Sequence, residues 1–444
     1  LFLESKNYLV ELKNAMKIGI IGGSGLDNPE ILEDYKETEI DTPFGKPSSP
    51  IAMGKIKGVD VFIISRHGRK HQFPPTYVNN KANIFALKDK GCKAIISTTA
   101  VGSLREEIKR GDFVIPDQFI DFTKQRSLTF FDKFEFGPVH VSLADPFSER
   151  VRKKLIDACK NLNYIHHGKG TVITIEGSRF STRAESNMFR LLGADIINMS
   201  TSPECILARE ADLEYATIAM STDYDSWKKE EKPVSWEAIK QVMNENTEKV
   251  KKVLLKVIES FSEDAEKEFI KSSIRTIPDF PKPGIMFRDI TTLLKDREAM
   301  NKAMDIFYKR YKNEGIDLIA GIESRGFILG GMLADRLDCG FVPIRKKGKL
   351  PGEKLSEEYT LEYGTDIVEI HKDAILPGQK VLIVDDLIAS GGTAFAACNL
   401  IEKLGGKIIE TAFLVELPEL NGRPKLEINN YKVFSVVEFS EIER

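Results

Sequence analysis

The sequence predicts an α/β fold arranged as two successive domains, and three observations predict it. The chain has 444 residues, more than one ordinary hydrophobic core accommodates. Short apolar runs alternate with amphipathic stretches through both halves, the pattern of strands and helices that build an open sheet. Two glycine-rich turns each follow an apolar run directly, "IGIIGGSGL" at 18–26 and "VLIVDDLIASGGTA" at 381–394.

Residues 1–15 are read as an extension without an assigned role. Strands are expected at 17–22, 59–65, 94–99, 113–115, 171–175, 195–199 and 215–220, with helices between several of them, as at 79–90 and 147–161. Trp236, Ile239, Val242, Met243, Val250, Val253, Leu254, Val257, Ile258 and Phe261 then recur at helical spacing. They predict a long amphipathic helix that closes the first domain, 16–261. The polar stretch "SEDAEKE" at 262–268 reads as the boundary, and the second domain is 262–444. After Pro278, strands are expected at 317–321, 341–344, 380–385, 408–415 and 433–438, with helices at 297–313, 326–337 and 392–404. The halves share no repeat, so the chain reads as a fusion of unlike domains.

Composition excludes several classes. The chain is 42% hydrophobic and 30% charged, as a soluble globular protein would be. A net charge of -3 gives no basis for nucleic acid or a membrane as partner, and no apolar run reaches the length of a membrane span. Five cysteines, none in a CxxC pair, point to a reducing, cytoplasmic setting and away from disulfides or zinc. His67 and His71 have a helical spacing that could suit a metal, but no carboxylate motif accompanies them and Gly68 opposes a helix. No protein-held metal and no organic cofactor is expected.

A phosphate needs several donors and little bulk nearby. Ala389, Ser390, Gly391, Gly392 and Thr393 supply backbone N–H groups, two hydroxyls and the start of a helix. There is no Walker A ending. Asp385 and Asp386 just upstream would repel a triphosphate but accept hydrogen bonds from ribose hydroxyls, so a sugar carrying a 5-phosphate satisfies both parts. Two acids alone would fit a solvated turn equally well. With "IPDFPKPGIMFRDIT" (277–291), "GIESRGF" (321–327), "IRKKGKLPG" (344–352) and "YTLEYG" (359–364), residues 263–439 resemble the type I phosphoribosyltransferases, close to those that use adenine. The resemblance implies a type I phosphoribosyltransferase fold. It implies conversion of adenine and phosphoribosyl pyrophosphate (PRPP) to AMP and pyrophosphate, with Mg²⁺ bound mainly through PRPP. By residue match, 385–386 and 389–393 would hold PRPP. Arg325, Arg345, Lys346 and Lys349 would meet pyrophosphate, although a basic loop such as "RKKGK" also fits a solvated surface. Met286, Phe287 and Arg288 would contact adenine, Glu323–Ser324 would form a strained peptide, and Glu362 would assist proton transfer. Ser390 stands where many members carry Thr, and the hydroxyl is kept.

The first glycine cluster is not a dinucleotide fingerprint. From Gly23 and Gly25 the third glycine should be at 28, where Asn28 stands. It still suits an anion. Further polar groups follow expected strands: "SRHGRKH" (65–71), "TIEGSRFSTRAES" (174–186), "INMSTSPE" (197–204) and "MSTDYDSW" (220–227). Asp223 and Asp225 at a strand end leave metal binding, acid–base chemistry and solvation open on spacing alone. With "DTPFGKPS" (41–48), "TTAVGSLREE" (98–107) and "DQFIDFTK" (117–124), residues 17–261 resemble the methylthioadenosine phosphorylases of the trimeric purine nucleoside phosphorylase family.

That resemblance implies a nucleoside-phosphorylase-type α/β domain. Phosphate would be held by Ser24, Arg66, His67, Thr99, Ala100 and Ser200, with His67 also in a catalytic role. Met199 and Phe180 would line the nucleoside site, and Ser181 and Trp236 would tune substrate choice. Asp223 and Asp225 would face the purine, and His140 would reach a neighbouring subunit's site. Carboxylates suit adenine: one can accept from the 6-amino group, and its protonated form can donate to N7 as the glycosidic bond breaks. Ser178 and Asn80 depart from the family's frequent Pro and Tyr.

The two resemblances together imply a purine-salvage enzyme whose first half makes the adenine that its second half uses. Alternatives are a 6-oxopurine nucleoside phosphorylase in the first half, or a PRPP-sensing regulator in the second. Trimers of the first domain and dimers of the second would combine into a hexamer.

Overall fold

The computed structural model describes residues 16–22, 32–134, 137–231, 235–360 and 365–440. The expected sites at Ser24 and Glu362 lie outside them. The chain divides into two compact units, one up to Ala265 and one from Glu266 onward. Both are α/β. No described helix is long and apolar enough to cross a membrane.

In the first unit the sheet runs in the order Glu33–Thr38, Ile51–Ile56, Val59–Ser65, Lys17–Gly22, Ala94–Ser103, Ile196–Asn198, Thr171–Ile175, Gln118–Phe122. Ala94–Ser103 is its centre. Its start pairs parallel with Lys17–Gly22, nearly its whole length pairs parallel with Glu214–Asp223, and its end pairs antiparallel with Ile196–Asn198. The central strands are apolar without alternation because both faces are covered. On one face Ile18, Ile20, Val61, Ile63, Ala94 and Ile96 pack with Val253, Leu254, Val257 and Phe261 of the helix Trp236–Ser272. On the other, Ile21, Ile64 and Ile95 pack with Ile84 and Leu87 of Asn80–Asp89 and Leu207 of Thr201–Glu210.

The long helix corrects one expectation. It does not end at Phe261 but continues to Ser272, through the stretch read as a boundary. Glu, Ala and Lys there are strong helix formers, and Phe269 and Ile270 resume the buried stripe. The strands Glu33–Thr38, Gln118–Phe122, Lys354–Thr360 and Thr365–His371 were not expected. Glu33–Thr38 is almost wholly exposed and polar, so no apolar run announces it.

The second unit's sheet runs Lys354–Thr360, Thr365–His371, Gly340–Lys346, Leu318–Ile322, Lys380–Ile388, Lys407–Glu416, Val433–Glu438. The last five are parallel. From Leu318–Ile322 the chain goes first to Gly340–Lys346 on one side and later to Lys380–Ile388 on the other. This is a topological switch point, and ligands gather at the carboxyl ends of the strands that flank one. "GIESRGF" and the acidic glycine loop sit at those two ends.

One buried ion pair ties the first unit together. Arg66, which follows strand Val59–Ser65, donates through Nε to Glu204 Oε1 at 2.5 Å, and Glu204 lies in helix Thr201–Glu210. Ser97 Oγ and Tyr215 Oη donate to Glu204 Oε2 at 2.9 and 2.8 Å. Removing one partner of such a pair strands a charge in a low dielectric, at a cost of about 3–5 kcal/mol. Glu204→Ala is therefore expected to lose that much stability. Both tryptophans, Trp227 and Trp236, lie in this unit, so urea unfolding followed by tryptophan fluorescence reads it alone. An unchanged midpoint would show that the pair is not a structural tie.

Candidate functional site

A cavity of about 560 Å³ in the first unit collects residues from six separate stretches of chain. Arg66, His67, Thr99, Ala100, Phe180, Ser181, Met199, Ser200, Asp223, Asp225 and Trp236 all line it. His140 does not: it is exposed, its ring 5.8 Å from that of Phe134.

One corner suits an anion. Ser200 precedes helix Thr201–Glu210, and its Oγ lies 3.2 Å from Thr99 Oγ1. Asn198 braces this helix start: its Nδ2 donates to Thr201 Oγ1 at 2.6 Å, and its Oδ1 accepts from Thr174 Oγ1 at 2.9 Å. The helix dipole favours negative charge there, although the N–H groups of Ser200 and Thr201 already donate to Asn198 Oδ1 and that of Ser202 to Thr174 Oγ1, so the two hydroxyls are the donors left for an anion.

"SRHGRKH" does not supply a pair of cations. Arg66 is neutralised by Glu204 and also donates to Thr98 O, Ile21 O and Ser97 Oγ. Its Nη1, bonded to Thr98 O, carries a second N–H that can serve a ligand. His67 Nδ1 lies 2.8 Å from Phe73 O, a pure acceptor, so Nδ1 carries the hydrogen of the neutral ring. Burial, reinforced by the Arg66 charge, pushes His67 down to about 4. At neutral pH Nε2 is thus an acceptor, suited to a protonated phosphate oxygen or a hydroxyl. The His71 ring lies 4.5 Å from that of His67 and 5.1 Å from that of Trp236, both pairs tilted, so the histidine spacing serves an aromatic cluster.

Asp223 and Asp225 owe their placement to a bulge. Ala219 faces Thr99 and Ser221 faces Val101, but Asp223 faces Gly102, so Thr222 is an extra residue. A Cβ on Gly102 would stand 3.0 Å from Asp223 Oδ1 and 3.2 Å from the Asp225 Cβ, so a side chain there would crowd both acids. Asp225 has φ 45, a left-handed conformation that Asp tolerates better than most residues. Asp223 accepts from Thr222 Oγ1 and from the Asp225 N–H, both at 2.8 Å. Burial nevertheless pushes it up to about 6. Asp225 is raised for the same reason. Ser186 and Ser181 lie against the Asp225 carboxylate and offset part of that rise, and Asp225 Oδ2, Ser181 Oγ and Ser186 Oγ are buried together without a well-formed hydrogen bond, a polar set that a ligand's edge can join.

In the second unit the acidic pair and glycine loop end strand Lys380–Ile388 and open helix Gly392–Lys403. Asp385 Oδ1 accepts from the Asp386 N–H at 2.8 Å. Burial and mutual repulsion raise the Asp385 pKa, and burial raises that of Asp386 despite Arg325. Gly391 has φ 73, and Gly326 lets its own helix, Arg325–Leu337, approach strand Lys380–Ile388, since a Cβ there would meet Val384 O at 2.8 Å. The Glu323–Ser324 peptide is cis.

Each expected pyrophosphate-binding cation has a carboxylate partner. Arg325 Nε lies 2.8 Å from Asp386 Oδ2. Lys349 and Arg345 approach Glu323 at 2.7 and 3.3 Å, and Lys346 pairs with Asp366. Burial pushes Glu323 up, but hydrogen bonds from Lys349, the Lys346 N–H and Arg345 outweigh it and bring Glu323 down to about 2. Met286 and Phe287 are half-buried, with the Arg325 guanidinium 5.5 Å over the Phe287 ring. Arg288 is buried, 4.3 Å over Phe439, and donates to Thr276 Oγ1. It braces this segment from beneath.

The comparisons agree with this division. The phosphorylase superfamily matches residues 17–259, more than half the chain. The chain belongs to the phosphorylase superfamily. A phosphoribosyl transferase domain matches residues 289–442, so this superfamily member is a fusion. The S-methyl-5'-thioadenosine phosphorylase of Xenopus tropicalis is 52% identical over 59% of this chain and 95% of its own length. That of Thermofilum pendens is 53% identical over 56% and 94%. Among solved structures, methylthioadenosine phosphorylase from Schistosoma mansoni in complex with adenine matches with a TM-score of 0.55 and 38% identity, over 58% of this chain and 96% of that one. A methylthioadenosine phosphorylase from an antarctic soil metagenomic library gives 0.53 and 43%, over 56% and 87%.

Sequence reasoning missed several residues that shape the phosphorylase and phosphoribosyltransferase sites. Glu204 stands at the end of "INMSTSPE" with nothing local to mark it, because its burial and its cation belong to the tertiary fold. Gly422 gave no signal: a side chain there would collide with Ala389 O and press on the Gly391 N–H, across a gap in sequence that no local pattern bridges.

The phosphorylase cavity makes a testable pH balance. Asp223 binds its proton more tightly when folded, about 6 against 3.8, so its stabilising contribution is full below 3.8 and lost as pH rises through 6. His67 binds its proton less tightly when folded, about 4 against 6.5, so its contribution is full above 6.5 and lost as pH falls through 4. The slopes oppose each other. Asp223→Asn should make the unit's urea stability rise with pH across this window, and His67→Gln should make it fall. Equal slopes in both variants would refute the assignment.

Proposed function

We propose that the phosphorylase unit cleaves 5'-methylthioadenosine with phosphate, giving adenine and 5-methylthioribose 1-phosphate. The observation that carries this reading is a pair of carboxylates, not amides, at one end of a cavity with an anion corner at the other. Thr99 and Gly102, which mark the two ends, are three residues apart on one strand, roughly 10 Å at the strand rise. A nucleoside and a phosphate fit that span in line. Phosphate at Ser200, Thr99 and Arg66 would attack the anomeric carbon while protonated Asp223 gives its proton to the leaving base. Asp225 would accept from the 6-amino group, which a 6-oxopurine lacks. The relatives named as methylthioadenosine phosphorylases, and the one bound to adenine, support the same reading.

The phosphoribosyltransferase unit would then join adenine to PRPP, giving AMP and pyrophosphate. Asp385 and Asp386 suit the ribose hydroxyls, and the loop 389–393 suits the 5-phosphate. Diphosphate oxygens are hard ligands suited to Mg²⁺, which would neutralise charge on the departing pyrophosphate. Arg325, Arg345, Lys346 and Lys349 would exchange their carboxylates for that anion. The free cysteines suit a reducing, cytoplasmic setting. A homo-oligomer, trimeric or hexameric, is part of the reading, and light scattering tests it.

Chromatography of a reaction with methylthioadenosine and phosphate should show adenine, which becomes AMP when PRPP and Mg²⁺ are added. Asp223→Asn should lower adenine formation about 10²–10⁴-fold and leave the conversion of added adenine intact. Asp385→Asn should do the reverse. Phosphorolysis of inosine with methylthioadenosine untouched would overturn the adenine reading. Adenine that never becomes AMP would overturn the second step.

A further inference from the structure

We propose that the Thr222 hydroxyl follows the proton on Asp223, turning from the Val101 carbonyl to the Asp223 carboxylate as that group protonates the leaving base. The proposal rests on the phosphorolysis reading and deepens it by naming a positioning residue.

Thr222 is the extra residue of the bulge. Its Oγ1 lies 3.2 Å from Val101 O and 2.8 Å from Asp223 Oδ2. A hydroxyl has one proton and cannot serve both acceptors fully. Thr222 and Val101 are each 2% exposed, so bulk solvent does not take either place. The other oxygen, Asp223 Oδ1, already accepts the Asp225 N–H at 2.8 Å. The acid proton therefore belongs on Oδ2.

Two arrangements follow without any heavy atom moving. When Oδ2 is protonated it is a poor acceptor, and Thr222 donates to Val101 O. When Oδ2 is ionised it is the stronger acceptor, and Thr222 turns to it. In the reaction the Asp223 O–H bond breaks and its electron pair stays on the carboxylate. The proton goes to a ring nitrogen of the base, the base keeps the glycosidic bonding pair, and a phosphate oxygen bonds to the anomeric carbon. The hydroxyl thus meets charge as it develops, the condition for lowering a barrier rather than tightening binding. Other charged groups near Asp223 are Asp225 in the same loop and Arg110 in the segment before Phe113–Val114. Glu185 of helix Arg183–Leu191 acts on Asp225. None of these groups is itself altered in the Thr222 variants.

Thr222→Val removes the hydroxyl at nearly constant shape, and Thr222→Ser keeps it. The alkaline limb of kcat for methylthioadenosine should move up by about one pH unit in Thr222→Val, the value of one hydrogen bond to a charged group. It should return to the wild-type position in Thr222→Ser, with tryptophan fluorescence confirming folding. The unmutated chain offers a second reading. With ¹³C at the Val101 carbonyl, its infrared band should shift as Asp223 titrates, and Asp223→Asn should abolish that shift. A limb unmoved in folded Thr222→Val, or a Val101 band indifferent to pH, overturns the proposal and leaves phosphorolysis standing. Full activity in Asp223→Asn would instead overturn the phosphorolysis reading itself.

Discussion

The buried pair of Arg66 and Glu204 is the constraint on which the phosphorylase cavity depends. Arg66 reaches Ile21 O on one strand and Ser97 Oγ and Thr98 O on the next, while Glu204 takes the hydroxyls of Ser97 and Tyr215. An ion pair out of water holds only if its remaining donors and acceptors are also met, and here the protein meets most of them. The geometry is therefore narrow. Glu204 sits in the first turns of helix Thr201–Glu210, so fixing Glu204 fixes the helix start and with it Ser200. The anion corner is a consequence of how that charge is buried.

The phosphoribosyltransferase unit handles the same problem differently. Its cations lie at a strand switch point, part-exposed, and each leans on a carboxylate. Such pairs are weakly held and can exchange one anion for another. Glycine makes the rest possible: at Gly326, Gly391 and Gly422 backbone comes so close to backbone that any side chain would intrude.

Much of this was legible in the sequence. The apolar runs at 17–22, 94–99 and 380–385 are buried on both faces and therefore look like strands from composition alone. Gly391, which follows the run 380–388, marks close approach of backbone. What escaped is what local pattern cannot carry. The helix past Phe261 looked like a linker because its exposed residues are charged, although they favour helix. The neutral state of His67 escaped because a side chain's charge depends on its burial and on Arg66 beside it. The role of Thr222 escaped because a bulge exists only in the register between two strands.

The charge state of the phosphorylase cavity bears on the proposed reaction. Arg66 is cancelled by Glu204, His67 is neutral at pH 7, and Asp223 titrates near 6. Among the described residues, a phosphate bound there would meet dipoles, hydroxyls and a single spare guanidinium N–H in place of a free cation. Its charge is oriented but not quenched. In phosphorolysis the sugar becomes cationic as the base departs, and the nearest anion is that phosphate. A free cation beside the phosphate would hold it more tightly in the ground state and blunt its attraction for the developing sugar cation. On the proposed reaction, positioning the anion by a helix start and a neutralised arginine would leave its field available when the barrier is crossed, so the binding would be stronger in the transition state than before it.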